Sequence, residues 1–439
     1  MPPFRSKLPG TDRISHKMPG RLLVLSNGHG EDLIALRVLL ALHQRCPHLE
    51  LAVLPLVGEG SAFAAAEQAG VLRRIGPRRE LPSGGFSNQS LTGLLRDLAA
   101  GVVGLSWRQW RLVWRWGRRG DPVLAVGDLL PLLLAWGSGA PYGFIGTPKS
   151  DYTWRSGPGS AGVAAVYHRL KGSEWDPWEW ALMGRARCRL VALRDGLTAR
   201  GLRRHGVRAL APGNPMMDGL EGVPLPAALV GHRRLVLLGG SRMPEALGNL
   251  ERLLLALDAW VLQPPGEPDA ARLLVLAPTG SRPSPDDWLP LLRRLGYAPA
   301  AIPDGTGAQA AWSRGPVLLL IGSGGFGRWA GWGEVGLAAA GTATEQLVGL
   351  GVPCLSLPGP GPQFKVGFAQ RQSRLLGGAV GVCRSASELA DRLELLLREP
   401  SLRRALGRMG RRRMGRAGGS AALAELVQQR LVDAATAAG

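Results

Sequence analysis

Residues 334–359, EVGLAAAGTATEQLVGLGVPCLSLPG, constrain the fold more than any other stretch. An apolar run, Val335–Ala340, ends at Gly341. Thr342, Ala343 and Thr344 follow, then Glu345 and a helical pattern, then a second apolar run, Val352–Leu357. That order predicts strand, glycine turn, helix and strand, the repeat unit of an α/β sheet. The turn sets free backbone N–H groups and two hydroxyls at a helix N-terminus, where the dipole favours an anion such as a diphosphate. Glu345 sits one turn into the helix, within reach of a neighbouring ribose hydroxyl. An ordinary βαβ unit with Thr342 as N-cap gives the same pattern. The motif therefore decides the fold class and leaves the ligand open.

The alternation recurs along the chain. Strands are expected near 21–27, 49–57, 123–127, 142–146 and 189–194, then near 234–239, 272–277, 316–321, 335–340, 352–357 and 379–383. Helical periodicity fills 31–46, 244–262, 286–295, 343–350, 366–376 and 386–416. Two parallel sheets follow. A chain of 439 residues is long enough for two or three domains. The expected division is a disordered tail at 1–20, an N-terminal Rossmann-like domain at 21–218 and a Pro/Gly-rich linker at 219–232. A C-terminal Rossmann-like domain at 233–416 and a final helix at 417–439 complete it. Two such sheets leave a cleft between their carboxyl edges, where ligands bind.

Other features narrow the class. The tail carries Arg5, Lys7, Arg13 and Lys17 but lacks the apolar run of a signal peptide. Residues 129–148 are uncharged, yet Pro131, Gly137, Gly139, Pro141 and Gly143 interrupt them, which argues against a membrane span. Cys46, Cys188, Cys354 and Cys383 have no metal spacing and suit buried thiols in a reducing compartment.

The formal net charge of +20 calls for an acidic partner. Residues 105–119 read LSWRQWRLVWRWGRR. Trp107, Trp110 and Trp114 recur at helical spacing, interleaved with Arg108, Arg111, Arg115, Arg118 and Arg119. Mixed indole and guanidinium faces suit an anionic membrane surface, so a membrane-binding helix is expected here. A core helix with solvated arginines is the alternative. Nucleic acid is not expected, because no recognised nucleic-acid module accompanies the run. A second basic run, Arg403–Arg416, has seven arginines and is expected to be an exposed helix face.

SNGHGEDLIA (26–35), PGNPMMD (212–218), LLGGSRMPE (237–245), AGTATEQLVGLGVPCLSLPG (340–359) and GPQFKVGFAQRQSRLLGG (361–378) occur in that order. Together they resemble lipid-A-disaccharide synthase, and more closely a group of cyanobacterial proteins related to it. The resemblance implies a GT-B fold: two Rossmann-like domains with parallel sheets facing across a cleft. It implies an inverting hexosyltransferase of lipid A biosynthesis that needs no metal and no cofactor beyond its UDP-sugar substrate. It places the chain in the cytoplasm, peripheral at the inner face of a membrane, with a lipid-linked acceptor.

Residue roles follow from that likeness. Ser241 and Arg242 would meet the diphosphate, with Arg242 stabilising UDP as it leaves; a planar guanidinium matches phosphate geometry. Gly341, Thr342, Ala343 and Thr344 would hold the phosphates from the other side, and Glu345 and Gln346 would complete the donor site. GSGGFG (322–327) formally satisfies G-x-G-x-x-G, but the next strand begins too soon for a crossover helix, so a dinucleotide is not expected. Gly324 and Phe326 instead suit a loop beside the uracil. Gln363, Gln370 and Gln372 are candidates for sugar hydroxyls. The catalytic candidates are His29, Asp32 and Asp128. His29 has a suitable ordinary pKa for a base, and a carboxylate serves equally. TPKSDYTWRSG (147–157) and KGSEWDPWEW (171–180) lie where the acceptor would bind; their tryptophans fit either an acceptor platform or a satellite core. A soluble epimerase-like enzyme and a non-catalytic UDP-sugar-binding protein remain alternatives.

Overall fold

The computed structural model describes residues 20–77, 102–159, 162–220, 222–261, 272–280, 282–359, 361 and 364–434. The tail at 1–19 and Gln363 lie outside the described residues. Seven strands form the first sheet: β1 (Arg21–Ser26), β2 (Glu50–Pro55), β3 (Arg73–Arg74), β4 (Val123–Gly127), β5 (Tyr142–Gly146), β6 (Cys188–Leu193) and β7 (Ala209–Leu210). Their order is 3-2-1-4-5-6-7, and every pairing is parallel. The central strands are unbroken apolar runs because helices cover both faces.

The second sheet contains β8 (Arg233–Leu238), β9 (Leu273–Thr279), β10 (Ala298–Pro299), β11 (Ala310–Arg314), β12 (Val317–Ser323), β13 (Val335–Ala338), β14 (Cys354–Ser356) and β15 (Val380–Val382). Its order is 10-11-12-9-8-13-14-15. The long apolar strands were all expected; β10 and β11 were not. They form an antiparallel edge that includes Pro299 and the polar Ser313 and Arg314. Such short, broken patterns belong at sheet edges and carry little periodicity.

Two helical expectations change. The single helix expected over 386–416 is two, Ala386–Arg398 and Pro400–Met414. Pro400 has no N–H to donate and pushes Glu399 out of the helical region, so it opens the second helix instead. The final helix, Gly419–Val427, does not stand apart. Its Leu423, Ala424 and Val427 enter the core of the first domain with Leu22, Val24, Ile34 and Val38. Asp218 ties down its start, accepting from the backbone N–H of Gly418 and Ser420 at 2.5 and 2.7 Å. Gly419 is required there, because a Cβ would lie 2.6 Å from the Asn214 backbone.

Among the described residues no helix is long and apolar enough to cross a membrane. The stretch 129–148 is the helix Leu129–Gly137 followed by β5. The four cysteines are free thiols.

Candidate functional site

In a doubly wound sheet the strand order reverses beside the first strand, and ligands sit at the carboxyl edge there. The two reversal points are β1/β4 in the first sheet and β8/β13 in the second. The loops leaving these strands hold most of the expected residues.

At β8/β13, Ser241 and Arg242 lie in the loop between β8 and the helix Glu245–Val261, with Ser241 exposed and Arg242 half-buried. Burial works against the Arg242 charge and lowers its pKa, while Glu245 opposes the shift. The neighbouring turn carries Gly341 as N-cap of the helix Thr342–Gly349, with no side-chain cap. Thr342 is therefore the first helical residue and not the cap. The N–H groups of the first turn have no partner within the helix and face the cleft edge. Only one of the two expected hydroxyls is available, since Thr344 is buried and donates to the Ala340 carbonyl at 2.7 Å. Thr342 is exposed, and Ala343 is half-buried against the core.

Gln372 holds this turn rather than a sugar: it is buried, and its Nε2 donates to the carbonyls of Gly341 and Ala340 at 3.0 and 3.3 Å. Gln346 donates to the Met216 carbonyl at 2.7 Å, so it secures the interdomain segment. Gln370 is exposed on the helix Val366–Leu375. Gly324 adopts a positive φ of 72° directly after β12, and Phe326 opens a helix of four residues. That helix is too short for a dinucleotide crossover, as expected.

At β1/β4 the structure assembles carboxylates. Asp128 caps the helix Leu129–Gly137, accepting from Leu130 N at 3.2 Å, and also accepts from Asn27 Nδ2 at 2.7 Å. Burial raises its pKa, and Lys149 opposes that. Asp32 does not open onto the cleft: it is buried, and the Ser26 hydroxyl donates to it at 2.5 Å. His29 begins the helix His29–Arg45; its side chain lies outside the described residues. Glu31, not among the candidates read from the sequence, is a strongly perturbed carboxyl. Burial pushes it up to about 7, with Thr147 opposing and the carboxylates of Asp128 and Asp32 adding to the rise. The Thr147 hydroxyl, from the end of β5, donates to Glu31 Oε1 at 3.2 Å. Glu31 stands inside SNGHGED, beside His29 and Asp32, and only its burial against β4 and β5 sets it apart.

The two edges meet. A Cβ on Gly30 would lie 3.5 Å from the Thr342 hydroxyl. Arg194, just past β6, donates to Glu345 Oε2 at 2.7 Å, and both side chains are largely buried. Glu345 thus faces an arginine of the other domain in this arrangement. Burial alone would lower the Arg194 pKa; Glu345, Asp195 and Glu174 more than offset it, and the pKa rises. No periodicity marks Arg194, which reads as the last residue of a strand.

The expected acceptor segments are largely core. Trp154 and Trp175 are buried, and Trp175 meets Phe144 edge-on at 5.4 Å. Asp151 accepts from the backbone N–H of Glu174 at 2.8 Å, and Ser150 donates to Asp195 at 2.7 Å. Arg374 of the second domain clamps this region, donating to the carbonyls of Thr153 and Gly159, each at 2.6 Å, and of Pro158 at 3.2 Å. Only Trp178 of these tryptophans is strongly exposed.

The helix Val102–Gly117 buries one face, with Gln109, Val113 and Trp116, and presents another. Trp107 is 57% exposed and Trp114 39%. Trp110 stacks between them at 4.9 and 6.2 Å. Arg108, Arg111 and Arg115 are exposed around this stripe, and Leu133 and Trp136 of the adjacent helix are exposed as well. The core-helix alternative therefore accounts for the Val113 face and for half-buried Trp110, but not for the exposed Trp107 and Trp114. The groups described contain no cluster of three or more His, Cys, Asp or Glu side chains able to hold a metal.

No protein-family model and no curated protein matches the chain. Solved structures do. The calicheamicin glycosyltransferase CalG4 superposes with a TM-score of 0.56 at 15% identity, covering 96% of this chain and 99% of that one. The chain has the GT-B fold. A UDP co-structure of MnaA from S. aureus gives 0.52 at 14% identity, with 91% and 94% covered. UDP-GlcNAc 2-epimerase from Methanocaldococcus jannaschii gives 0.50 at 12% identity, with 93% and 99% covered. At these identities the likeness establishes the fold alone.

Proposed function

We propose that this GT-B chain is a glycosyltransferase that moves a sugar from a UDP-sugar to a lipid-linked acceptor at an anionic membrane surface. One observation carries the reading: the loops leaving the paired strands β8 and β13 hold Arg242 and an uncapped helix N-terminus, and Gly30 of the carboxylate-bearing loop of the first domain approaches Thr342 there. Departure of UDP concentrates negative charge on the diphosphate. Fixed N–H dipoles and a half-buried guanidinium gain more from that charge in the transition state than in the ground state. This arrangement asks for no metal. The resemblance to lipid-A-disaccharide synthase supports a hexosyl donor such as UDP-N-acetylglucosamine. The exposed Trp/Arg stripe supports a peripheral position at the inner, cytoplasmic membrane face.

Calorimetry with UDP in the presence of a chelator tests the site. Binding should persist, and Arg242→Ala should weaken it by about 1.5–3 kcal/mol, the range for a charge-assisted contact. Binding that vanishes on chelation and returns with magnesium would refute the metal-free site. The UDP-bound and epimerase neighbours favour a second reading, a soluble UDP-sugar epimerase. Incubation with UDP-N-acetylglucosamine and a membrane lipid extract separates the two: glycosylated lipid by mass spectrometry supports transfer, an epimerised sugar nucleotide by NMR supports the alternative.

A further inference from the structure

We propose that Glu31, rather than His29 or Asp128, is the base that takes the acceptor proton. The inference rests on the glycosyltransferase reading and names a residue that neither motif spacing nor the family likeness selects. Three geometric facts carry it. Glu31 directly follows Gly30, where a Cβ would lie 3.5 Å from the Thr342 hydroxyl of the second domain. Asn27 and Glu31 flank Gly127: a Cβ there would lie 3.1 Å from Asn27 Cβ and 3.3 Å from Glu31 Cγ. The buried Asn27 Oδ1, on the residue that shares this contact with Glu31, has no hydrogen-bond partner, although its Nδ2 donates to Asp128 at 2.7 Å.

All three carboxylates are hydrogen-bonded, Glu31 to the Thr147 hydroxyl at 3.2 Å. Asp128 holds Leu130 N and Asn27 Nδ2, and Asp32 is buried on the Ser26 hydroxyl. The groups around Glu31 are Asp32 on its own helix, Asp128 from the helix after β4, Thr147 from the end of β5, and Lys149 two residues further on, which acts on Asp128. Arg194 contacts the Thr147 carbonyl at 3.5 Å from the β6 side. This setting raises Glu31 to about 7, the value that suits a base at neutral pH.

The step balances. The acceptor O–H proton passes to a Glu31 carboxylate oxygen, and the acceptor oxygen bonds to the anomeric carbon. The bond from that carbon to the diphosphate oxygen breaks, and its electron pair leaves with UDP, facing Arg242 and the Gly341–Thr344 turn.

The test measures UDP release from a panel of UDP-hexoses with a membrane lipid extract, from pH 5 to 9, alongside UDP affinity by calorimetry and a thermal melt. Wild type should show an acidic limb near pH 7. Glu31→Gln should lower turnover by about 100-fold or more and lose that limb, with UDP affinity within about twofold and a cooperative melt. Glu31→Asp should keep a limb at reduced rate. Turnover within about threefold of wild type in Glu31→Gln, or a limb lost instead in Asp128→Asn, overturns the assignment and leaves the glycosyltransferase reading standing. A wild-type chain that binds UDP but releases none from any donor overturns both.

Discussion

The two domains put their charged residues to opposite uses. The cleft edge of the first domain is acidic and already hydrogen-bonded: Asn27 to Asp128, Ser26 to Asp32, Thr147 to Glu31. The cleft edge of the second carries an uncapped helix N-terminus at Gly341 and, in the loop after β8, Arg242; its carboxylate, Glu345, is held by Arg194 from across the interface. The basic runs invert the contrast. Arginines of Val102–Gly117 are displayed outward. In the run Arg403–Arg416, Arg403 donates to the Leu397 carbonyl at 2.6 Å, Arg411 to Leu350 at 2.9 Å, and Arg413 to the Ser156 hydroxyl at 2.9 Å. Arg404, Arg408, Arg411, Arg412 and Arg416 of that run are exposed, as expected, while Arg403 and Arg413 are half-buried. Carbonyl partners fix where these guanidinium groups sit without cancelling their charge, so the second run differs from the first in being tied down rather than in being less basic.

The sharpest way to break this contrast is at the pair that crosses it. Arg194→Met leaves the Glu345 carboxylate largely buried without its arginine. Stability should fall by about 3–5 kcal/mol, the range for removing one partner of a buried pair. The double variant Arg194→Met/Glu345→Gln should recover much of that loss. If Glu345 takes up the ribose, UDP should also stabilise Arg194→Met more than wild type, because no arginine has to be displaced first. Chemical denaturation with and without UDP reads all three. Single and double variants of equal stability would show that the two domains are not coupled through this pair.

The acidic edge makes the next largest prediction. The Glu31 pKa is raised from 4.5 to about 7, so the folded state binds its proton more tightly than the unfolded chain does. Its favourable contribution is complete below about pH 4.5 and is lost as pH rises through 7. The difference amounts to about 3 kcal/mol. Glu31→Gln should therefore show a shallower fall in stability from pH 5 to 8 and be the more stable protein at pH 8, although it is the less active one. Asp151, raised by burial to about 6, keeps a residual slope in the same direction at the acidic end of that range. Parallel stability curves for the two proteins would place Glu31 in a solvated setting and remove the physical basis of its role.

What the chain reveals by itself follows the same division. Long apolar strands and the Gly341 turn are legible because burial on both faces and a positive helix end leave local patterns. The reversal points β1/β4 and β8/β13 are legible once strand order is inferred. Partners are not. Thr344 and Gln372 read as ligand groups but secure the turn itself; Asp32 reads as a cleft residue but lies beneath the first turn. Arg194, Glu31 and Thr147 act through contacts 116 to 151 residues apart, which no window of sequence displays. Trp154 and Trp175 read as a possible platform because composition does not distinguish a buried indole from an exposed one.

The outward face of Val102–Gly117 gives the smallest effect per residue and a sharp distinction between its parts. Each displayed arginine should contribute about 1 kcal/mol to binding of an anionic bilayer, and this contribution is screened by salt. The stacked indoles of Trp107, Trp110 and Trp114 add an apolar contribution that salt does not screen. In flotation with liposomes, binding should rise with anionic lipid and fall with salt. Arg111→Gln with Arg115→Gln should remove mainly the salt-sensitive part, and Trp110→Ala with Trp114→Ala should weaken binding even at low salt. The arginine pair should leave stability nearly unchanged, whereas the tryptophan pair should cost some, because Trp110 is half-buried against the core, so a thermal melt accompanies the flotation. Arg411→Gln should behave in the opposite way, costing stability through the Leu350 carbonyl and leaving flotation unchanged. If the four-residue variant floats as well as wild type while Arg411→Gln does not, the contrast between the two basic runs is reversed, and the second domain is the one that meets the membrane.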